Sequence, residues 1–165
     1  MIITDIDKLR KPCKSVSFTD DVNLIVERLK EELELNKSGI GLSANQIGID
    51  ARICLARYSG EQIALVNPRI IERDDLVEFY NEGCLSFPGK NITTKRYNDI
   101  VVQDDNYKTG ICFYGIESVI IQHEIDHLEG KIMFDSEIII PGVNEKCWCG
   151  SGNKYKRCHK GKVIG

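Results

Sequence analysis

The segment Gly115-Ile-Glu-Ser-Val-Ile-Ile-Gln-His-Glu-Ile-Asp-His-Leu-Glu129 is the part of the chain around which the fold is expected to form. Its apolar residues cover most of the circumference of a helix, which is typical of a helix buried inside a domain. Gly130 follows directly and is a common stop for a helix. A buried helix that also carries histidines and carboxylates must satisfy them, and a metal ion is the simplest way to do so.

Two histidines of this segment are spaced to share one metal ion. His123 and His127 are four residues apart, which places both rings on one face of a helix. Glu124 follows the first histidine, so its carboxylate can act on a metal-bound water without being a ligand. This pattern favours a metal-assisted hydrolase. Two core histidines satisfied by hydrogen bonds are the alternative.

Two residues compete for the role of third ligand. Cys84 lies in a loop after a predicted strand, and one cysteine with two histidines holds a divalent ion with a position open for water. A buried loop thiol is the alternative for Cys84 taken alone. Glu145 is the candidate for a zincin-like metalloprotease, but it adjoins the C-terminal tail. Asp126 also places a charge between the histidines, where protease helices are usually apolar.

The composition excludes several classes of protein. The chain has 165 residues, of which 42% are hydrophobic and 28% charged, as expected for one globular domain with a short appendage. No apolar run approaches the roughly 18 residues of a membrane helix. The first residues include early acids and no apolar signal core. We therefore expect a cytoplasmic protein that does not bind a membrane.

Hydrophobic periodicity predicts an α+β fold. A helix is expected from an N-cap at Thr19 to about Asn36, with apolar residues at helical spacing. The pattern then changes to alternation, which predicts strands at 52–56, 62–66, 76–80, 99–103 and 110–114. Their close spacing favours antiparallel pairing. The predicted architecture is antiparallel β-sheets around a central buried helix with the His-Glu-x-x-His motif, plus a small zinc-knuckle tail.

The seven cysteines do not read as a disulfide framework. The number is odd, and a reducing cytosol disfavours disulfides. Cys13, Cys54 and Cys112 stand alone among apolar or strand-like neighbours. We expect each of these three to be a small buried hydrophobic residue.

Three separated segments together resemble the signature motifs of the peptide deformylases. They are Gly39-Ile-Gly-Leu-Ser-Ala-Asn-Gln46, Glu82-Gly-Cys-Leu-Ser86 and Gln122-His-Glu-Ile-Asp-His127. The resemblance covers about residues 1–136. It implies a metal-dependent hydrolase that removes the N-formyl group from the initiator N-formylmethionine of nascent peptides and releases formate.

The resemblance also implies a role for each residue of the catalytic centre. Cys84, His123 and His127 would hold the metal, and Glu124 would take the proton of the attacking water and pass it to the leaving amine. The Gln46 side chain and the backbone N–H of Leu85 are the candidate donors to the oxyanion. Iron(II) is the expected metal, with nickel, cobalt or zinc as alternatives.

Substrate contacts follow from the same resemblance. The backbones of Ile40, Gly41 and Gly83 would pair with the peptide like an added strand. Ile40, Val119 and Ile120 are the candidates to line the methionine pocket, and ordinary core packing explains these three nearly as well. Asp126 would either orient a ligand or form a surface salt bridge.

The C-terminal residues form a second metal candidate. Cys147, Cys149, Cys158 and His159 suit a closed tetrahedral zinc site, and their spacing resembles the zinc-binding SEC-C motif at the end of the SecA preprotein translocase. A redox or disulfide tail is the alternative. So short a unit has too little core to fold without metal. The predicted domains are residues 1–140, resembling the deformylases, and residues 141–165, the zinc tail.

Charge is divided unequally between these two parts. Residues 146–165 hold six basic residues and no acidic one, whereas the other 145 residues hold 16 basic and 25 acidic residues, a net charge of −9. With Trp148 and Tyr155 expected to be exposed, the tail is predicted to dock the enzyme on the ribosome. We expect a monomer that does not bind DNA directly. A non-catalytic, zinc-stabilised ribosome- or nucleic-acid-binding protein is the remaining alternative.

Overall fold

The computed structural model describes residues 1–17 and 21–164. The α-helices are α1 (Ile6–Leu9), α2 (Val22–Leu35) and α3 (Gly115–Leu128). The strands are β1 (Gly41–Ser43), β2 (Ile53–Tyr58), β3 (Glu61–Val66), β4 (Arg69–Gly83), β5 (Asn91–Gln103) and β6 (Ile111–Tyr114). None of the helices in these residues is long and apolar enough to cross a membrane.

The strands form two antiparallel sheets, in the orders β1-β2-β3 and β4-β5-β6. A two-residue turn, Ser59-Gly60, joins β2 to β3, and both residues have positive φ, as the tightest hairpin turns require. The predicted α+β class with antiparallel sheets is confirmed.

Helix α3 lies between the two sheets, and its apolar residues tie them into one core. Ile120, Ile121, Ile125 and Leu128 pack with Cys54 and Leu65 of the first sheet and with Ile100, Val102 and Phe113 of the second. The helix stops at Gly130, whose positive φ suits glycine, and whose added Cβ would lie 2.5 Å from the carbonyl oxygen of Arg10. The N-terminal segment therefore passes directly over the end of α3.

Helix α2 covers the outer face of the first sheet. Asp21 caps it by accepting a hydrogen bond from the backbone N–H of Leu24. Leu29 and Leu33 are fully buried and pack against residues of β1 and β2. The N-cap predicted at Thr19 lies outside the described residues.

Three sequence predictions need correction. Strands β4 and β5 are far longer than the five-residue segments predicted at 76–80 and 99–103. Strand β1 was not predicted, because three residues are too few to show alternation. Cys112 is exposed rather than buried, because β6 turns Phe113 towards the core and its neighbours away from it. Cys54 is buried as predicted, and Cys13 is half-buried.

Candidate active site

Three candidate ligand atoms from two distant parts of the chain converge at one point. Cys84 follows the last residue of β4, whereas His123 and His127 lie on adjacent turns of α3. The Cys84 Sγ lies 3.2 Å from Nε2 of His127, and the ligand atoms of all three residues lie within 4.8 Å of one another. Pairing of β4 with β5 beside α3 is what brings the cysteine to the histidines.

The chemistry of this cluster fits a divalent metal ion. One thiolate and two imidazoles are ligands that zinc, iron, cobalt and nickel accept. Burial, and after it the charge of His123, lowers the pKa of His127 well below its usual range, which favours the neutral ring that a metal ligand needs. A carboxylate oxygen of Glu124, Oε2, is buried beside the cluster without a hydrogen-bond partner in the described structure. Such an atom indicates that the site takes a further polar group.

Glu124 is held against strand β1. A Cβ added to Gly41 would lie 2.3 Å from Oε1 of Glu124, so only glycine allows this approach. Burial raises the pKa of Glu124 to about 7, although the charge of His123 opposes the shift. A carboxylate with a pKa near neutrality is suited to take and return a proton.

The side-chain amide of Gln46 is oriented by Ser43. The backbone N–H and the hydroxyl of Ser43 both donate to Oε1 of Gln46, each at 2.9 Å. The amide nitrogen of Gln46 therefore points to the opposite side, towards Ser86 Oγ at 3.1 Å and Cys84 Sγ at 3.5 Å. A hydrogen-bond donor is thus fixed beside the candidate metal ligands.

A buried chain of charges supports the first histidine. His123 donates from Nδ1 to Glu82 Oε1 at 2.7 Å, which leaves Nε2 for the metal side. Arg96 binds Glu82 through two nitrogens and reaches Asp126 with the third, at 2.6 Å. Burial opposes ionisation of Glu82, but hydrogen bonds from His123 and Arg96 outweigh it and hold the pKa of Glu82 well below its usual range.

Sequence reasoning assigned no role to Glu82 or Arg96. Glu82 stands two residues before Cys84, yet nothing local shows that it faces α3. The available signal was the alternation Ile92-Thr94-Arg96, which places an arginine on the buried face of β5. A surface salt bridge was one of the two roles predicted for Asp126. Asp126 does form an ion pair, but its partner, Arg96, is buried, with only 3% of its side chain exposed.

A cavity of about 600 Å³ opens onto this cluster. The residues predicted to bind the substrate or donate to the oxyanion line it together: Ile40, Gly41, Gln46, Gly83, Leu85, Val119 and Ile120. Glu145 is elsewhere, since its carboxylate accepts a hydrogen bond from the backbone N–H of Gly142 in the segment leading to the tail. The zincin-like arrangement with Glu145 as third ligand is therefore wrong.

The tail brings together a second set of candidate metal ligands. The ligand atoms of Cys147, Cys149, Cys158 and His159 lie within 4.8 Å of one another, and the thiols are free. Burial alone would raise the pKa of the Cys149 thiol, but hydrogen bonds, first those with Ser151, lower it to about 6. A closed set of three sulfurs and one imidazole fits a structural metal ion.

The two aromatic residues of the tail are not the exposed pair that the sequence predicted. Tyr155 is 5% exposed, and Trp148 is half-buried. Both side chains donate to the carboxylate of Glu78 on β4, at 2.9 Å and 2.7 Å. The physical reason is that the tail folds back on the second sheet and turns its aromatic face inward.

Comparison with known proteins agrees with this geometry. Residues 2–139 match the family model of the polypeptide deformylases, and residues 144–160 match the SEC-C motif. A peptide deformylase of Dictyoglomus turgidum is 34% identical over 146 residues, which cover 83% of this chain and 94% of that protein. A peptide deformylase of Karelsulcia muelleri is 36% identical over 141 residues, which cover 80% of this chain and 74% of that protein.

Solved structures show the same fold. A peptide deformylase of Legionella pneumophila superposes with a TM-score of 0.74 at 32% identity, covering 84% of this chain and 85% of that one. The deformylase of the Vibrio parahaemolyticus bacteriophage VP16T superposes with a TM-score of 0.69 at 34% identity. The match covers 79% of this chain and 98% of that one. The chain therefore belongs to the polypeptide deformylase family and carries a SEC-C motif behind the deformylase region.

Proposed function

We propose that this protein hydrolyses the N-formyl group of peptides that begin with N-formylmethionine, releasing formate and a free amino terminus. The observation that carries the proposal is the meeting of Cys84, His123, His127, Glu124 and Gln46 around one cavity. These residues supply metal ligands, a proton carrier and an oxyanion donor. Neither a zincin-like protease nor a non-catalytic binding protein requires this combination.

The metal would be held by Cys84, His123 and His127. A divalent ion held there would supply Lewis-acid chemistry, that is, polarisation of the formyl carbonyl and a lower pKa for water. We infer iron(II) as the native ion, with nickel, cobalt and zinc as ions that the same ligands accept. Glu82 keeps His123 oriented for this role through the hydrogen bond to Nδ1.

The protein's own groups handle the proton and the negative charge. Glu124 takes a proton from water as the water oxygen bonds to the formyl carbon. It then delivers that proton to the amide nitrogen as the C–N bond breaks, which leaves formate and a free amine. The negative charge on the formyl oxygen is met by the Gln46 amide and the backbone N–H of Leu85. Ser43 keeps the Gln46 amide nitrogen turned towards the site.

The peptide would lie along the cavity between β1 and the end of β4. The main chains of Ile40, Gly41 and Gly83 offer backbone groups to an added strand. Ile40, Val119 and Ile120 provide the apolar surface for the methionine side chain. A Cβ on Gly83 would come within 2.8 Å of Oδ1 of Asn91, which also lines the cavity, so a side chain at residue 83 would displace Asn91.

Formate release from formyl-Met-Ala-Ser by iron- or nickel-loaded protein tests the proposal. Glu124→Ala should abolish release and still bind the metal, because Glu124 is not a ligand. Glu117→Ala on the same helix, outside the cavity, is the matched control and should behave as the wild type. If the wild-type protein with its metal bound releases no formate, the proposed reaction is wrong.

We further propose a structural zinc ion at Cys147, Cys149, Cys158 and His159, in a tail unit spanning residues 141–165 behind a catalytic unit of residues 1–140. The tail is proposed to hold the enzyme at the ribosome, where formylated nascent peptides emerge. Support comes from its six basic side chains, all exposed, on an otherwise acidic protein. A monomer in the cytoplasm stays our prediction.

A further inference from the structure

Glu78 is a fully buried carboxylate on an outer strand. Strand β4 lies at the edge of its sheet, and Val77 points from it into the core. Alternation turns Glu78 to the opposite face, which in a strand of this kind normally meets water. The exposed fraction of Glu78 is nevertheless 0%. The C-terminal tail is what covers it.

Three uncharged donors surround this carboxylate. Trp148 donates from Nε1 to Oε1 at 2.7 Å, and the hydroxyls of Tyr155 and Tyr80 donate to Oε2 at 2.9 Å and 2.7 Å. Hydrogen bonds to an ionised group are about twice as strong as those between neutral groups. Two of the three donors come from the tail, so the carboxylate is matched to the tail rather than to the core.

The backbone of the same residue is also bound by the tail. The N–H of Glu78 donates to the carbonyl of Lys162 at 2.9 Å, and its carbonyl accepts from the N–H of Ile164 at 3.3 Å. These bonds form a short parallel bridge between Glu78 and Val163. They cover an exposed edge that would otherwise be open to other strands.

The metal ligands of the tail fix the position of the docking tryptophan. Trp148 stands between Cys147 and Cys149, and its ring lies 4.4 Å from that of His159, centroid to centroid. Tyr155 accepts the backbone N–H groups of Cys158 and His159 on its carbonyl oxygen. The fold that brings the candidate metal ligands together therefore also positions Trp148 and Tyr155 to donate to Glu78.

We propose that Glu78 is the receptor for the metal-bound tail, which makes the tail an internal partner of strand β4. Docking couples the metal cluster of the tail to the strand that leads into Glu82 and Cys84. The tail's metal then stabilises the catalytic region as well as the tail itself. The proposal does not depend on the reaction that the enzyme catalyses.

Trp148 is the only tryptophan of the chain, so its fluorescence reports docking directly. In the full-length, zinc-loaded protein, Glu78→Gln removes the charge and one acceptor oxygen at nearly constant volume. We expect a red shift of the emission and exchange of the Glu78 and Ile164 amide hydrogens that is about 10- to 100-fold faster. Glu72→Gln, an exposed change on the same strand, is the matched control and should leave both readouts as in the wild type.

Tyr155→Phe provides a milder variant that keeps the ring and the tryptophan. It should shift both readouts in the same direction by less, and should add almost nothing in the Glu78→Gln background, because both changes remove the same contact. This variant carries the test if Glu78→Gln does not fold. Unchanged emission and exchange in either folded variant, or strictly additive effects, would overturn the proposal.

The link to metal is tested in the Cys84→Ser background, in which the catalytic cluster lacks its thiolate. Stripping the metal with a chelator should red-shift Trp148 and speed exchange at Glu78, and adding zinc should reverse both. Sedimentation should show a monomer throughout. The proposal is contradicted if the tail stays docked on Glu78 without metal, or if it docks only in a dimer.

Discussion

Only a hydrogen atom fits between residue 41 and the carboxylate of Glu124. Gly41→Ala would place a methyl group 2.3 Å from Oε1, so the carboxylate must move. A displacement of about 1 Å at a reacting group can lower the rate on the order of 10²-fold. We expect that loss in kcat/KM for formyl-Met-Ala-Ser, with metal content unchanged.

Gly142→Ala is the control for this change. Its added Cβ lies 3.2 Å from the exposed side chain of Glu145, which can move aside. Activity within twofold of the wild type is expected. Equal losses in the two variants would mean that backbone flexibility, rather than the approach to Glu124, explains the glycine.

Gln46 offers a second prediction for a single residue. Gln46→Ala removes the donor that Ser43 turns towards the site, and losing one oxyanion donor lowers kcat on the order of 10²-fold. KM should change little, because the interaction strengthens only as charge develops on the formyl oxygen. Steady-state formate release measures both constants. Gln62→Ala, an exposed change on β3, is the control, and a loss below about threefold in Gln46→Ala would contradict the role.

The sequence could predict which residues meet at the candidate site but not what holds them there. The spacing of His123 and His127 fixes a shared helix face, and glycine at 41 indicates a close approach. Nothing local says that the approach is to Glu124. Likewise, the role of Ser43 depends on a turn that brings its N–H to Gln46, and such geometry exists only in the folded chain.

At the scale of whole elements, one buried ion-pair network connects β4, β5 and α3. Arg96 is 3% exposed and joins Glu82 of β4 to Asp126 of α3. Removing one partner of a buried pair leaves an unpaired charge and costs about 3–5 kcal/mol. We expect Arg96→Ala to lower the free energy of unfolding by that amount and the metal affinity of the catalytic centre by about 10- to 100-fold.

Denaturant unfolding and metal titration measure these two effects. Arg73→Ala on β4 is the control, since Arg73 is exposed and its removal should stay within about 0.5 kcal/mol. If Arg96→Ala lowers stability but leaves metal affinity unchanged, the network supports the fold without orienting His123.

The length of β4 and β5 shows where sequence prediction of elements ends. Residues 69–75 are rich in charge and residues 91–98 are mostly polar, so neither segment was predicted as a strand. They are strands because of their partners: residues 69–74 pair with residues 99–103, and residues 91–97 pair with residues 76–83, with two register shifts along the ladder. Helix α3 was predictable to within one residue, because its pattern and its glycine stop are local.

At the scale of the molecule, the aromatic side chains of the tail are turned inward, whereas its basic side chains are exposed. The aromatic face docks on Glu78, so neither Trp148 nor Tyr155 is available to an outside partner. All six basic side chains of the tail are exposed, and Nζ of Lys162 also lies 3.9 Å from the carboxylate of Asp75 on β4. The proposed contact with the ribosome would therefore be electrostatic, and its strength would depend steeply on salt.

This dependence gives the last prediction. Replacing Lys154, Lys156 and Arg157 with glutamine removes half of the tail's basic side chains. If these side chains meet RNA phosphates, the slope of log K against log salt for ribosome co-sedimentation should flatten by about 2. Formate release from a free tripeptide should not change, because none of the three lines the catalytic cavity.

A control must separate the effect of the protein's net charge from the effect of where the basic side chains lie. Replacing Lys8, Lys11 and Lys37 with glutamine removes the same charge from exposed sites on the deformylase region and should leave the salt slope as in the wild type. Equal flattening in both triple variants would mean that net charge alone governs the association. If the tail variant instead keeps the wild-type slope of log K against log salt, these basic side chains do not bind the ribosome. The contact with β4 would then be the remaining role proposed for the tail.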